Sequence, residues 1–179
     1  MPPFFFFSPP PPPPPSRPSD GVSEAWERYG GRVTHISTAK EWFDLLDASV
    51  VAGGLLIAEF RSMTCRKCKA VEQKFKKFPA TYVDRNVFFA EVDAKAIGSA
   101  LREALGVDKV PYVTAWKDAA MVDDYVCGSD IGACLRSAVR MLDEHAPPKG
   151  AAPPPQGAAP PPVRSARADA PSAGAPAGA

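Results

Sequence analysis

Twenty of the 22 prolines in this 179-residue chain lie at its two ends, and that partition decides how much of it can fold. Ten fall within residues 1–30 and ten within 147–179; only Pro79 and Pro111 lie between. Proline has a fixed φ and no backbone N–H, so dense proline cannot be built into helices or sheets. The chain therefore reads as one folded unit over residues 31–146 between two Pro-rich tails, 1–30 and 147–179. The tails offer too little apolar surface to offset the entropy lost on ordering, and they are expected to be disordered. Residues 9–15 are seven consecutive prolines. Such a run favours an extended polyproline II rod of the kind that docks on aromatic-lined adaptor grooves, with a plain solvated tail as the alternative.

The central unit carries 16 Lys+Arg against 16 Asp+Glu. That balance excludes the strongly basic signature of a general nucleic-acid binder. No apolar run approaches the length of a membrane-spanning helix, so no membrane insertion is expected. All four cysteines (Cys65, Cys68, Cys127 and Cys134) lie in the unit. They are too few for a small disulfide-stapled fold, and the unit is large enough to need no staples. Phe4 to Phe7 is too short for the apolar segment of a secretory signal, so a reducing intracellular compartment is expected.

Hydrophobic periodicity switches repeatedly along the unit. Val33 to Ile36 reads as a short strand. Ala39, Trp42, Phe43 and Leu46 give the spacing of an amphipathic helix capped by Ser37 or Thr38. After Gly53-Gly54, Leu55 to Phe60 is an apolar run suited to a central strand. Cys68, Val71, Phe75 and Phe78 form the stripe of a second helix. Val87 to Val92 is another strand, and Ile97, Leu101 and Leu105 mark a helix closed by Gly106. Tyr112 to Trp116 and Met121 to Cys127 make a hairpin. Ile131, Leu135, Ala138 and Leu142 mark a last helix capped by Ser129 or Asp130. The order β-α-β-α-β-α-β-β-α predicts an α/β fold whose central mixed sheet is covered by helices on both faces.

The segment Cys65-Arg66-Lys67-Cys68 falls where a core strand ends and a helix begins. Unpaired N–H groups and the helix dipole favour an anion there. A thiolate is the reactive form of cysteine, and such a position lowers its pKa. Cys68, one helical turn on, is near enough to attack a mixed disulfide formed at Cys65. The pattern points to redox chemistry, with inert buried cysteines or half of a zinc site as the alternatives. Zinc or an iron–sulfur cluster needs two further ligands. The Cys127-x6-Cys134 spacing is not that of a zinc knuckle, and His35 and His145 stand at opposite ends of the unit. No Gly-rich phosphate loop is present, and no histidine is near Cys65 in sequence.

Glu59-Phe60, Cys65-Arg66-Lys67-Cys68-Lys69, Val92-Asp93, Gly106-Val107-Asp108-Lys109-Val110-Pro111 and Cys127-Gly128 together resemble, in order, the landmarks of the thioredoxin superfamily over about residues 33–144. The Arg66-Lys67 pair, with Trp116-Lys117-Asp118, is most similar to plant and algal plastid thioredoxin-like proteins with a Trp-Cys-Arg-Lys-Cys centre. The resemblance implies a thioredoxin fold and dithiol–disulfide exchange. Cys65 would be the nucleophile, Cys68 the resolving thiol and Cys65–Cys68 the redox-active disulfide. Pro111 would be a cis-proline aligning the substrate backbone, and Glu59 would accept the proton of Cys68, standing where thioredoxins carry a buried Asp. It implies disulfide-bearing client proteins, a thiol electron donor (a reductase or the glutathione system), a monomer, no cofactor and no metal, in the plastid stroma or else the cytosol. The alternative is a non-catalytic binding module of the same fold, held between polyproline arms. The chain departs from the family at Thr64, where Trp usually precedes the first cysteine. It departs again at Gln73, where a helix proline is usual, and at Tyr112, where Thr is usual.

Arg66 and Lys67 flank Cys65 and are expected to stabilise its thiolate. Lys74, Lys76 and Lys77 read as a solvated helix face. Cys134 is expected to be a buried packing residue. Cys127 is expected either to pack likewise or, partly exposed beside the substrate groove, to be a regulatory thiol open to oxidation.

Overall fold

A computed structural model describes residues 20–150, apart from the side chains of Asp20 and Ser23. The proline run at 9–15 and the stretch from residue 151 lie outside the described residues, as do the expectations of disorder and a polyproline rod made for them. The described elements run α1 (Asp20–Tyr29), β1 (Val33–Ile36), α2 (Ala39–Val51), β2 (Leu55–Arg61), α3 (Arg66–Phe75), α4 (Phe78–Thr81), β3 (Val87–Asp93), α5 (Ser99–Ala104), β4 (Tyr112–Lys117), β5 (Ala120–Val126) and α6 (Ile131–His145). The five strands form one sheet in the order β1-β3-β2-β4-β5. β1, β3 and β2 are parallel, while β4 runs antiparallel to β2 and β5 antiparallel to β4.

β2 is buried along its whole length, as a central strand covered on both faces must be. Its side chains alternate between two cores. Leu56, Ala58 and Phe60 join Trp42, Leu45, Phe88 and Trp116 on the face that carries α1 and α2. Leu55 and Ile57 join Val71, Phe75, Phe89 and Met141 on the face that carries α3 and α6. Glu59 and Arg61 share the parity of the second set, so the alternation that builds the core also aims two charged residues under α3.

Local chemistry sets the boundaries. Thr38 caps α2 in a reciprocal box with Glu41, and Asp130 caps α6 by accepting from the Ala133 N–H at 3.1 Å. The β4–β5 hairpin turns through Asp118 and Ala119, both with positive φ, the geometry that matches the twist of the flanking strands.

Two expectations need correction. The boundary at residue 30 is too late, because α1 is helical and packed. Val22, Ala25, Trp26 and Tyr29 sit against the α2-side core, and Trp26 meets Phe88 edge-on at 5.5 Å. These residues have the i, i+3, i+4, i+7 spacing of an amphipathic helix, which the prolines on its N-terminal side obscure. The second predicted helix is two. α3 ends at Phe75, and Phe78 begins a separate short helix with Pro79 in its first turn, where the missing N–H costs nothing.

Candidate functional site

β2 delivers Glu59 near its C-terminal end, and four residues beyond that end stands Cys65. Phe60 faces Tyr112 across β2 and β4, and Tyr112 faces Val126 across β4 and β5. The end of β2, the start of β4 and the end of β5 therefore share one edge of the sheet, which brings Pro111 and Cys127 to the same end as Cys65. The Val110–Pro111 bond is cis, and the Pro111 carbonyl accepts from the Cys127 N–H at 2.9 Å.

Cys65 is the N-cap of α3. Its sulfur accepts from the Cys68 N–H at 3.2 Å, so the thiol occupies the place of a capping side chain. Both sulfurs are free; Cys65 is half-buried and Cys68 fully buried. Burial opposes ionisation of Cys65. Hydrogen bonds from the Cys68 thiol and N–H and from the Lys67 N–H, together with the Lys67 charge, overcome it and hold the Cys65 pKa below that of an ordinary thiol. Arg66 is exposed at the first position of α3. Cys68 goes the other way: burial and its hydrogen bond with Cys65 push its pKa up to about 12. The two thiols thus divide into a ready nucleophile and one that needs a base.

Glu59 is fully buried on the face beneath α3, and neither carboxylate oxygen meets a protein hydrogen-bond partner. Burial, then the neighbouring Glu91, push its pKa up to about 8, while Arg61 pulls it down. A carboxyl with that proton affinity is a far better base toward a thiol than an exposed one. Tyr112, where the family usually has Thr, turns its hydroxyl onto Asp124 at 3.0 Å and stacks its ring near Phe60.

Sequence reasoning missed the ion pairs around Glu59. Arg61 reaches Glu72 at 2.7 Å and Glu91 at 3.3 Å; His35 reaches Glu91 at 3.0 Å, and Lys76 pairs with Glu72. Strand parity was the available signal, since Glu59 and Arg61 share a face of β2, and Glu91 follows Phe89 on the same face of β3. Lys74 and Lys77 are exposed as expected, but Lys76 is tied into this network.

The remaining cysteines are corrected. Cys127 and Cys134 are bonded to each other, with their Cα atoms 5.0 Å apart, and both are buried. Cys127 is therefore not an exposed free thiol, and Cys134 does more than pack. The short turn through Gly128, Ser129 and Asp130 brings the first turn of α6 back onto the end of β5, within disulfide reach. The bond also removes this pair from any zinc site.

The thioredoxin family model matches residues 33–139, and the chain belongs to the thioredoxin family. A thioredoxin H-type from Chlamydomonas reinhardtii is 28% identical over 100 residues, covering 56% of this chain and 87% of that protein. Among solved structures, the long form of spinach chloroplast thioredoxin f superposes with a TM-score of 0.56 at 20% identity, covering 66% of this chain and 93% of the other. A poplar thioredoxin h gives 0.55 at 20% identity, covering 63% and 97%. A complex of ferredoxin:thioredoxin reductase with thioredoxin f2 gives 0.55 at 19%, covering 64% of this chain and 98% of the matched one. The fold is that of thioredoxins, with a mixed five-stranded sheet flanked by helices.

Proposed function

We propose that this protein is a dithiol–disulfide oxidoreductase working through Cys65-Arg66-Lys67-Cys68. The Cys65 thiolate attacks one sulfur of a client disulfide; that bond breaks, and the departing client sulfur takes a proton from solvent. Cys68 gives its proton to Glu59 and attacks the Cys65 sulfur. The Cys65–Cys68 bond forms as the second client thiolate leaves, so two electrons pass to the client. Pro111 holds the client backbone beside Cys65, and Arg66 and Lys67 favour the thiolate and so raise the reduction potential relative to a Gly-Pro centre. A thiol donor, a reductase or the glutathione system, restores the dithiol. The reductase complex of the similar thioredoxin f2 supports the former.

One observation carries this reading: the half-buried Cys65 caps α3 directly beside a buried Cys68, with the unpartnered Glu59 carboxyl on the face beneath that helix. Likeness to spinach chloroplast thioredoxin f supports the plastid stroma, with the cytosol as the other compartment. Among the described residues no helix is long and apolar enough to cross a membrane. The chain acts as a monomer, and the proline arms offer a ligand for a polyproline-binding adaptor. Reduction of insulin with dithiothreitol as donor tests the reading. Turnover that vanishes in Cys65→Ser supports it, and a wild-type chain without turnover makes the non-catalytic binding module the better account.

A further inference from the structure

Charge in this protein is balanced in number but not in space. Of the 16 basic and 16 acidic residues between positions 31 and 146, six bases and one acid fall within residues 66–77, which leaves ten bases against 15 acids for the rest. That segment is α3 and the two residues after it. Cys68, Val71 and Phe75 turn inward, while Arg66, Lys67, Lys69, Lys74 and Lys77 are exposed. The one acid, Glu72, is taken up by Arg61 at 2.7 Å and by Lys76. Among the described residues no carboxylate pairs with any of those five exposed cations. Helix physics disfavours such a face. Cations in the first turn oppose the dipole, and like charges three residues apart, as in Arg66 with Lys69 and Lys74 with Lys77, repel. Other helices carry pairs of opposite sign instead, Lys40–Asp44 on α2 and Arg140–Glu144 on α6. Arg66 and Lys67 have a use at the Cys65 thiolate; Lys69, Lys74 and Lys77 have none there.

We propose that the outer face of α3 is a docking surface for an acidic protein segment flanking the client disulfide, and that Lys69, Lys74 and Lys77 select such clients. The inference rests on the oxidoreductase reading and adds to it the class of client. From Cys65 the face extends about 15 Å along the helix, the span of four or five residues of extended chain. An open cleft of about 450 Å³ lies beside it, bordered by Lys69, Gln73 and Met63, and Met63 is 65% exposed two residues before Cys65. α3 shows no exposed aromatic ring on which a base could stack, so an acidic peptide suits the face better than a single-stranded nucleic acid. The net negative remainder of the unit repels the same client, so an acidic partner is steered to the side that bears the nucleophile.

The test uses three peptides of equal length, each closed by one disulfide, with four Asp, four Asn or four Lys beside one cysteine. The pre-reduced full-length protein should reduce the Asp peptide about tenfold or more faster than the Asn peptide at low salt, with the Lys peptide slowest. At about 0.5 M salt, where screening acts over a few ångströms, the three rates should converge to within about twofold. Lys69→Glu/Lys74→Glu should reverse the ranking. Lys117→Glu/Lys149→Glu, the same charge change at the opposite end of the sheet, should keep it; Lys117 faces Leu55 at the start of β2, and Lys149 binds Asp84 just before β3. Equal low-salt rates in the wild type overturn the proposal even if neither variant folds, and so does an unchanged ranking in folded Lys69→Glu/Lys74→Glu. A cysteine-free copy of the Asp peptide reads docking without chemistry. Its NMR shift changes should centre on residues 63–77, and changes elsewhere or none overturn the proposal. Failure of the wild type to reduce any of the three peptides counts against the oxidoreductase reading, and the cysteine-free peptide then decides the docking surface alone.

Discussion

The two cysteine pairs of this protein stand at the same end of the sheet, and each is bound to the start of a helix, yet their chemistry is opposed. Cys65 and Cys68 are free thiols three residues apart, one half-buried at the N-cap of α3 and one fully buried. Cys127 and Cys134 are seven apart, buried and already bonded across the turn into α6. Reactivity follows from what surrounds the sulfur. The first pair has N–H donors aimed at one sulfur and a dry carboxyl on the sheet face below; the second has an apolar core made of Val71, Phe75, Val113 and Met141. On the proposed function, the same element serves as a redox centre where a helix start leaves a thiolate partly open, and as a clasp where packing closes over it.

The sharpest way to break this contrast is to remove one sulfur from each pair. Cys65→Ser should take disulfide reduction to background. Next in size, Glu59→Gln should slow resolution of the mixed disulfide by about 10- to 100-fold, the scale of a lost general base. It should also change how stability responds to pH. The Glu59 pKa is raised in the folded chain from an ordinary 4.5 to about 8, so between those values the native state binds more protons than the unfolded one. Stability is full below about pH 4.5 and falls as pH rises toward 8, by up to ~1.4 kcal/mol per pH unit. Chemical denaturation of Glu59→Gln across that window should show a flatter curve, and an identical slope in both proteins would contradict the burial argument.

Truncation at residue 31 probes the face of the sheet opposite both pairs. It uncovers the core under Trp26 and Ala25, so the melting temperature should fall by roughly 5–10 °C while insulin reduction below the transition is unchanged. A truncated chain melting with the full one would mean that α1 adds nothing. Cys134→Ala should cost stability and spare the chemistry. Opening a loop of this length costs about 2 kcal/mol of stability, and insulin reduction should stay within about twofold. A loss of activity comparable to that of Cys65→Ser would erase the distinction between the pairs.

Much of this architecture is legible in the sequence because it depends on short-range pattern. The apolar run before Cys65, the stripe Cys68, Val71, Phe75 and the turn at Asp118-Ala119 each announce their element locally. α1 is hidden because the proline density on its N-terminal side masks the apolar spacing of Val22, Ala25, Trp26 and Tyr29. The Arg61–Glu91–His35 contacts were hidden for another reason: they join three strands, and only the register that sets Glu59 against Glu91 and His35 against Glu91 brings them together. The Cys127–Cys134 bond likewise depends on a Cα separation that sequence spacing does not supply.

The most direct test of the central claim is to trap the intermediate. Cys68→Ser protein is incubated with a disulfide substrate, quenched with acid, and mapped by mass spectrometry. The adduct should lie on Cys65 alone and persist, with Cys127 and Cys134 recovered as an intact linked pair. Adducts distributed over Cys127 or Cys134, or none on Cys65, would contradict the assignment of nucleophile and clasp.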